Sequence, residues 1–564
     1  MLKWISQLAG GIDDRRHPLG TEDGLSEFRQ MLPVSQPAAA LQQICEGLEQ
    51  AQELKLAAPA MYRAVRRLDD AAQPCLDELW HTLFRDARGE QVSDLSYNAL
   101  SSYSRRMAKL LHACLESAAP GAEKEALEEI GLFALRAMRA LMCAKKLERM
   151  AYRMPELALW EAARALQLRA GQLGVLRAAL EPYPERGQQR ISVAQEFLAG
   201  LMLETAPLGS LLPTQIECLD VLLHRNAASL LESDKGDAAT PFFFDQAKLQ
   251  MPQRWLPGLQ KRESLRFFGP GAVAERVVAL TQEAEKATEV PDWAVPSGCA
   301  LESYRALLDT LRQHWSDKPP QRRDRRQAET GDMLLVHGLS QTRRMVAASE
   351  RARSETQLAL ASSDKMRNER YFDRIRFGTV DADKTATGKL LREQLLAPKQ
   401  ILDKFETAGD RQLMQRSQVA DASDSGIGVA LDKRAPWARP GVLVGYRLAD
   451  SLDWSVAVVR RLGRGQTGQN LGLERLVGSA VTAQAMTMHN PSPQAVERAG
   501  LGDAGVCEAI LIEGPALQLV APAGLDATGQ WLLLWVRKEK RLARVKALRE
   551  IGRDFGIFVL QPAS

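Results

Sequence analysis

The chain has 564 residues, 45% of them hydrophobic and 26% charged, a balance that belongs to a globular protein and excludes a disordered or fibrous one. Its length implies roughly two to four domains. With 74 basic against 70 acidic residues the formal charge is only +4, so no broad basic field marks a binder of nucleic-acid polymers, and attraction to anions must come from local clusters.

The N-terminal run Met1 to Ile12 is mildly apolar but breaks at Gly10-Gly11, too soon for a secretory h-region. No stretch approaches the ~20 apolar residues that span a bilayer. Seven cysteines are scattered at 45, 75, 114, 143, 218, 299 and 507; the odd count and absence of metal-ligand spacing argue against a disulfide framework or a zinc site. The expectation is a cytoplasmic protein with no transmembrane segment.

From about 37 to about 315 apolar residues recur at three- and four-residue steps, the pattern of helices that bury one face. In the helix predicted from Ala126 to Arg153, the residues Ile130, Phe133, Leu135, Met138, Leu141 and Met142 form the apolar stripe and Arg136 and Arg139 lie off it. Proline and glycine at 119–121, 181–184, 207–209 and 269–271 mark helix ends. Phe242-Phe243-Phe244 and Trp255 read as core anchors. Residues 1–315 are therefore assigned to an all-α region of one or two subdomains.

Around Ser316 to Pro320 the pattern turns from helical to β, and Arg322-Arg323-Asp324-Arg325-Arg326 follows at once. Met333 to Leu339 reads as a short buried strand ended by Gly338. Residues 341–410 are poor in large apolar side chains and read as a basic insertion, helical near Lys389 to Phe405 and otherwise poorly ordered. Strands resume at Val429–Leu431, Val442–Leu448, Trp454–Leu462 and Leu471–Leu476, separated by turn residues as an antiparallel barrel requires. Residues 316–480 form this barrel domain. Five more β runs, between Ala509 and Leu560, make 481–564 a β-rich C-terminal subdomain, a second small barrel or a sandwich packed on the first. The expected fold class is multidomain α+β.

Two motifs carry chemistry. Asp421-Ala422-Ser423-Asp424-Ser425-Gly426 sits between two strands; Asp and Ser bond to nearby backbone and favour tight turns, and glycine permits positive φ or a close approach. Arg322 and Arg326, four apart, carry guanidinium groups that bind phosphate oxygens bidentately, match guanine O6 and N7, and stack on purine faces. No P-loop, HExxH, Gly-x-Ser-x-Gly elbow or Gly-x-Gly-x-x-Gly after a strand is present, and the seven histidines lack metal-ligand spacing, so a non-enzymatic protein is expected. His337 at the end of a strand and His314 near the boundary read as structural or solvated.

Together the Arg-x-x-x-Arg and Asp-x-Ser-x-x-Gly motifs resemble the PilZ family, whose members bind cyclic di-GMP with one motif before the first strand and the other on the barrel. The hairpin from Trp454 through Arg464-Gly465-Gln466-Thr467-Gly468 into Leu471–Leu476 is similar to the end of such barrels. The resemblance spans about 317–480. It implies that Arg322 and Arg326 contact phosphates and guanine, that Asp421 and Ser423 contact the second guanine's polar edge, and that Gly426 permits the turn. Arg323 and Arg325 add long-range attraction to a dianionic ligand.

Arg326 and Asp421 are separated by 95 positions, from 326 to 421, more than the family's usual spacing, and the insertion accounts for the excess because loop-closure cost grows only logarithmically. A second Arg-x-x-x-Arg, Arg370 and Arg374, lies inside the insertion and competes for the role. The reading is a cyclic di-GMP receptor without a cofactor, whose helical region engages an unidentified protein partner; the alternative is a non-enzymatic scaffold whose barrel no longer binds nucleotide.

Overall fold

The computed structural model describes every residue except 1–17, 54, 57, 85–91, 117, 119–123, 187–188, 249–250, 256–261, 317, 320–326, 328–330, 356–404, 450, 466–467, 490 and 564. The chain divides into two compact units, Met1–Gln321 and Arg322–Ser564. Among the described residues no helix is long and apolar enough to cross a membrane.

The first unit is built from α1 (Glu22–Gln30), α2 (Pro37–Glu53), α3 (Ala58–His81), α4 (Asp94–Glu116), α5 (Lys124–Met150), α6 (Leu157–Gln172), α7 (Val193–Glu204), α8 (Pro213–Arg225), α9 (Ala272–Lys286) and α10 (Leu301–His314). Two of their starts are capped by side chains. Thr21 accepts the Gly24 N–H at the head of α1, and Ser192 with Gln195 forms a capping box on α7, satisfying donors that a helix leaves orphaned.

Between α8 and α9 lies a small sheet of β1 (Leu231–Ser233), β2 (Phe242–Asp245), β3 (Gln253–Arg254) and β4 (Leu265–Gly269), in the order β1-β4-β2-β3. The all-α expectation for residues 1–315 is corrected here. Phe242 and Phe244 face the helical core with Phe268, while Phe243 packs with Leu265, Phe267 and Trp255 on the other side. A strand whose two faces are both buried reads as a plain apolar run, which periodicity cannot separate from a short helix.

All six residues of the predicted apolar stripe on α5 are buried, but Arg136, placed off it, is buried too at 3% exposure. The guanidinium donates to Asp69 at 3.0 Å, Asp70 at 2.8 Å and the Pro182 carbonyl at 2.8 Å, and lies 4.4 Å above the Tyr183 ring. Asp69 also accepts from the Tyr103 and Tyr183 hydroxyls at 2.7 and 3.2 Å. One turn on, Arg139 pairs with Glu196 at 3.1 Å, and His224 reaches the other Glu196 oxygen at 3.0 Å. Lys146 sits between Glu217 and Asp220 at 2.7 and 2.6 Å. A buried charge survives only when paired and hydrogen-bonded, and α5 meets that condition with partners from α3, α7 and α8.

The second unit contains two closed, six-stranded antiparallel barrels. The first comprises β5 (Gly331–His337), β6 (Gln415–Ala422), β7 (Gly426–Leu431), β8 (Leu443–Leu448), β9 (Ser455–Arg464) and β10 (Gln469–Arg475), in the order β10-β7-β6-β5-β8-β9. The second comprises β11 (Ser479–Met488), β12 (Cys507–Glu513), β13 (Gln518–Ala521), β14 (Trp531–Val536), β15 (Glu539–Ile551) and β16 (Gly556–Pro562), in the order β11-β12-β13-β16-β15-β14. The C-terminal β runs thus close into a barrel rather than a sandwich. Gly338, at φ 82°, ends β5 in the backbone region that glycine enters freely.

Residues 341–355, expected to be poorly ordered, belong to a helix over 339–355. It buries Met345, Val346, Ala348 and Ala352 and makes bonds to the second barrel. Asp554 accepts the Leu339 N–H at 2.7 Å, Arg343 pairs with Glu508 at 3.0 Å, and Glu350 accepts from Thr482. Small residues sufficed because the helix is wedged against sheets on two sides. Of the helix expected near Lys389–Phe405, all but Phe405 falls outside the described residues. The two barrels and this helix share one core that includes Val336, Leu339, Trp454, Val456, Ile510 and Phe555.

Glu196 has a pH consequence. Burial alone pushes its carboxyl up, but the charges of Arg139 and His224 outweigh that and hold it down to about 2, from an ordinary 4.5. A carboxylate depressed in the folded state stabilises above its unfolded value, and that contribution is lost as pH falls through the folded one. Circular-dichroism melts should therefore show wild-type stability falling between pH 4.5 and about 2. Glu196→Gln should be less stable at pH 7 by on the order of 3 kcal/mol and flatter across that acid window.

Candidate functional site

Asp421 to Gly426 forms the connection from β6 to β7. The strands pair as Gln418 with Ala430, Val419 with Val429, Asp421 with Gly428 and Ala422 with Ile427, with a register shift between Val419 and Asp421. A bulge at Ala420 adds a residue to β6 and re-aims the side chains that follow. The turn is closed by Ser423: its N–H donates to the Gly426 carbonyl at 2.8 Å, and its hydroxyl accepts the Gly426 N–H at 3.1 Å. Asp424 and Ser425 stand exposed at the tip, while Asp421, Ser423 and Gly426 are half-buried.

Two glycines here have distinct steric reasons. Gly426 does not adopt positive φ; a Cβ on it would meet the Leu473 carbonyl oxygen at 3.2 Å, so the close approach of β10 favours glycine here. Gly428 lies opposite Asp421, and a Cβ there would fall 2.4 Å from Asp421 Oδ1. The Asp421 carboxylate thus lies flat across the neighbouring strand over the space a side chain would fill.

β10 holds the turn from the other side. Glu474 pairs with Gly426 in the register, and the Arg475 N–H donates to the Ser425 carbonyl at 3.0 Å. The Arg475 guanidinium donates Nε to the Tyr446 hydroxyl at 2.9 Å and Nη1 toward the Ser423 carbonyl at 3.4 Å. Glu474 in turn accepts from Arg460 at 2.6 Å and Arg549 at 2.7 Å, and Arg460 makes a bidentate pair with Glu550 of β15. Sequence reasoning quoted Arg475 only as part of a strand; the register that sets it beside Ser423 has no local signal.

Arg322, Arg323, Arg325 and Arg326 lie outside the described residues, as do Arg370 and Arg374. Gln327, the residue after Arg326, is described. It makes an isolated antiparallel bridge with Ala422: the Gln327 N–H donates to the Ala422 carbonyl at 2.9 Å, and the Ala422 N–H donates back at 3.0 Å.

His337 ends β5 at the end opposite Gly331, which pairs with Val419. Six steps of strand, about 20 Å, separate the two. The imidazole stacks on Trp437 at 5.1 Å and 4°, and burial pushes its pKa down; it has no part in the turn. His314 belongs to the first unit, where burial likewise pushes it down.

The steric claim for Gly428 is testable by thermal unfolding. Gly428→Ala should cost on the order of 1 kcal/mol, since the Asp421 carboxylate at the end of its side chain must swing aside. Gly463→Ala on β9, where a Cβ meets nothing within 4 Å, should stay within about 0.5 kcal/mol of wild type.

Comparison with known proteins finds two family models along the chain. Residues 23–233 match the family model described as the N-terminal domain of the cyclic-di-GMP receptor FimW. Residues 256–481 match the model described as the middle PilZ domain of the same receptor. No curated protein matches the chain. With a helical region of the FimW type followed by a closed barrel bearing Asp421 to Gly426 between β6 and β7, the chain belongs to the PilZ-containing cyclic-di-GMP receptor family.

Proposed function

We propose that this chain is a receptor that binds cyclic di-GMP at the first barrel, through Arg322 and Arg326 on one side and Asp421, Ser423 and Gly426 on the other. The observation that carries this reading is the two-bond bridge between Gln327 and Ala422. Consecutive Cα atoms are about 3.8 Å apart, so the residue after Arg326 is anchored inside the Asp421 to Gly426 motif despite the 95 positions that separate 326 from 421.

The chemistry of the two motifs is complementary to the ligand. Guanidinium groups suit two phosphates and the O6/N7 edge of guanine, while the Asp421 carboxylate suits the N1–H and N2–H donors of the opposite edge. Arg323 and Arg325 raise the approach rate of a dianion, more so at low salt. Binding requires no cofactor and no bond is made or broken, so the role is that of a non-enzymatic sensor. Nucleotide that orders the Arg322 to Arg326 segment against the barrel biases the protein toward one arrangement, which a protein partner of the helical unit reads.

Isothermal titration with cyclic di-GMP tests the reading. Wild type should bind at micromolar affinity or tighter, and Asp421→Ala or the pair Arg322→Ala/Arg326→Ala should weaken binding by at least about tenfold, equivalent to ~1.4 kcal/mol. The pair Arg370→Ala/Arg374→Ala should bind as wild type does. No heat from wild type, with a partner of the helical unit retained, would favour the scaffold reading instead.

A further inference from the structure

Arg475 touches the turn in two places and the barrel in a third. Its N–H is bonded to the Ser425 carbonyl at 3.0 Å, its Nη1 reaches the Ser423 carbonyl at 3.4 Å, and its Nε is fixed on the Tyr446 hydroxyl at 2.9 Å. Tyr446 is 4% exposed and belongs to β8, which pairs with β5 and so with the sheet that carries β6. The two carbonyls flank Asp424.

Resting on the receptor reading above, we propose that Arg475 is a positioning residue of the nucleotide site: it transmits the rigidity of β8 and β10 to the Asp421 to Gly426 turn, so that Asp421 and Ser423 are presented in one orientation. Neither motif of the resemblance includes it. The planar fork of arginine serves two acceptors at once, Tyr446 and Ser423, and a lysine ammonium on a flexible stem does not reproduce that geometry. A binding group held by such a shell loses affinity when the shell loosens, even though the shell itself makes no ligand contact.

Cyclic di-GMP titration and amide hydrogen exchange on the full chain test this together. Arg475→Gln should weaken binding about tenfold, and Tyr446→Phe about threefold, as expected for lost hydrogen bonds to a charged group. The double variant should bind about as weakly as Arg475→Gln alone, because both act through one contact. Arg475→Lys should stay well below wild type. In the ligand-free protein, Arg475→Gln should speed exchange of the Ser423 and Gly426 amides while the melting temperature moves by no more than ~2 °C.

Wild-type affinity in Arg475→Gln, or full rescue by lysine, would overturn the proposal. So would a large drop in melting temperature with no local change in exchange, which would mark a purely structural residue. If wild type binds no cyclic di-GMP but the exchange result holds, the receptor reading fails and the positioning of the turn by Arg475 stands.

Discussion

The pairing of β10 with both β7 and β9 closes the first barrel, and the candidate site depends on where that pairing ends. At its last steps Glu474 faces Gly426 and Arg475 faces Ala457, so two adjacent side chains serve opposite tasks. Glu474 turns to Arg460 and Arg549 and so to the second barrel; Arg475 turns to the 423–425 turn. Closure removes the free edges that would let β6 and β7 slip in register. A one-residue slip would carry Asp421 off Gly428 and to the other face of the sheet.

The second barrel is more than an appendage to that arrangement. It shares a core with the first, built around Trp454, Leu476, Ile510 and Phe555, and clasps the helix over 339–355 through Asp554, Glu508 and Thr482. The same helix begins the long excursion of the chain, and Phe405, where the described chain resumes, packs beside Ala348 and Ala352. The two ends of the excursion therefore meet on one surface, and β5 and β6 pair as directly as if a short loop joined them.

The helical unit takes a different physical route to a specific fold. α5 carries Arg136, Lys145 and Lys146 into the interior and Arg139 to its half-buried margin, each with acidic or aromatic partners on neighbouring helices. Such networks contribute little net stability compared with an apolar core, yet breaking one leaves an uncompensated charge. The cost makes alternative helix packings unfavourable, because only one arrangement satisfies every member.

Local pattern determined much of this protein. Helical periodicity, strand alternation, the glycine after β5 and the Asp-x-Ser-x-x-Gly turn are each encoded within a few neighbouring residues, and the first strand, the late hairpin and the C-terminal β runs formed where those patterns placed them. The tri-phenylalanine strand, the ordered start of the insertion and the burial of Arg136 were not legible, since each depends on what packs against the residue rather than on its neighbours in sequence. The same holds at the site. Sequence alone identified Asp421, Ser423 and Gly426 as turn chemistry, but only the tertiary structure set Gln327 against Ala422 and Arg475 against Ser423, because strand register is a long-range property fixed by barrel closure.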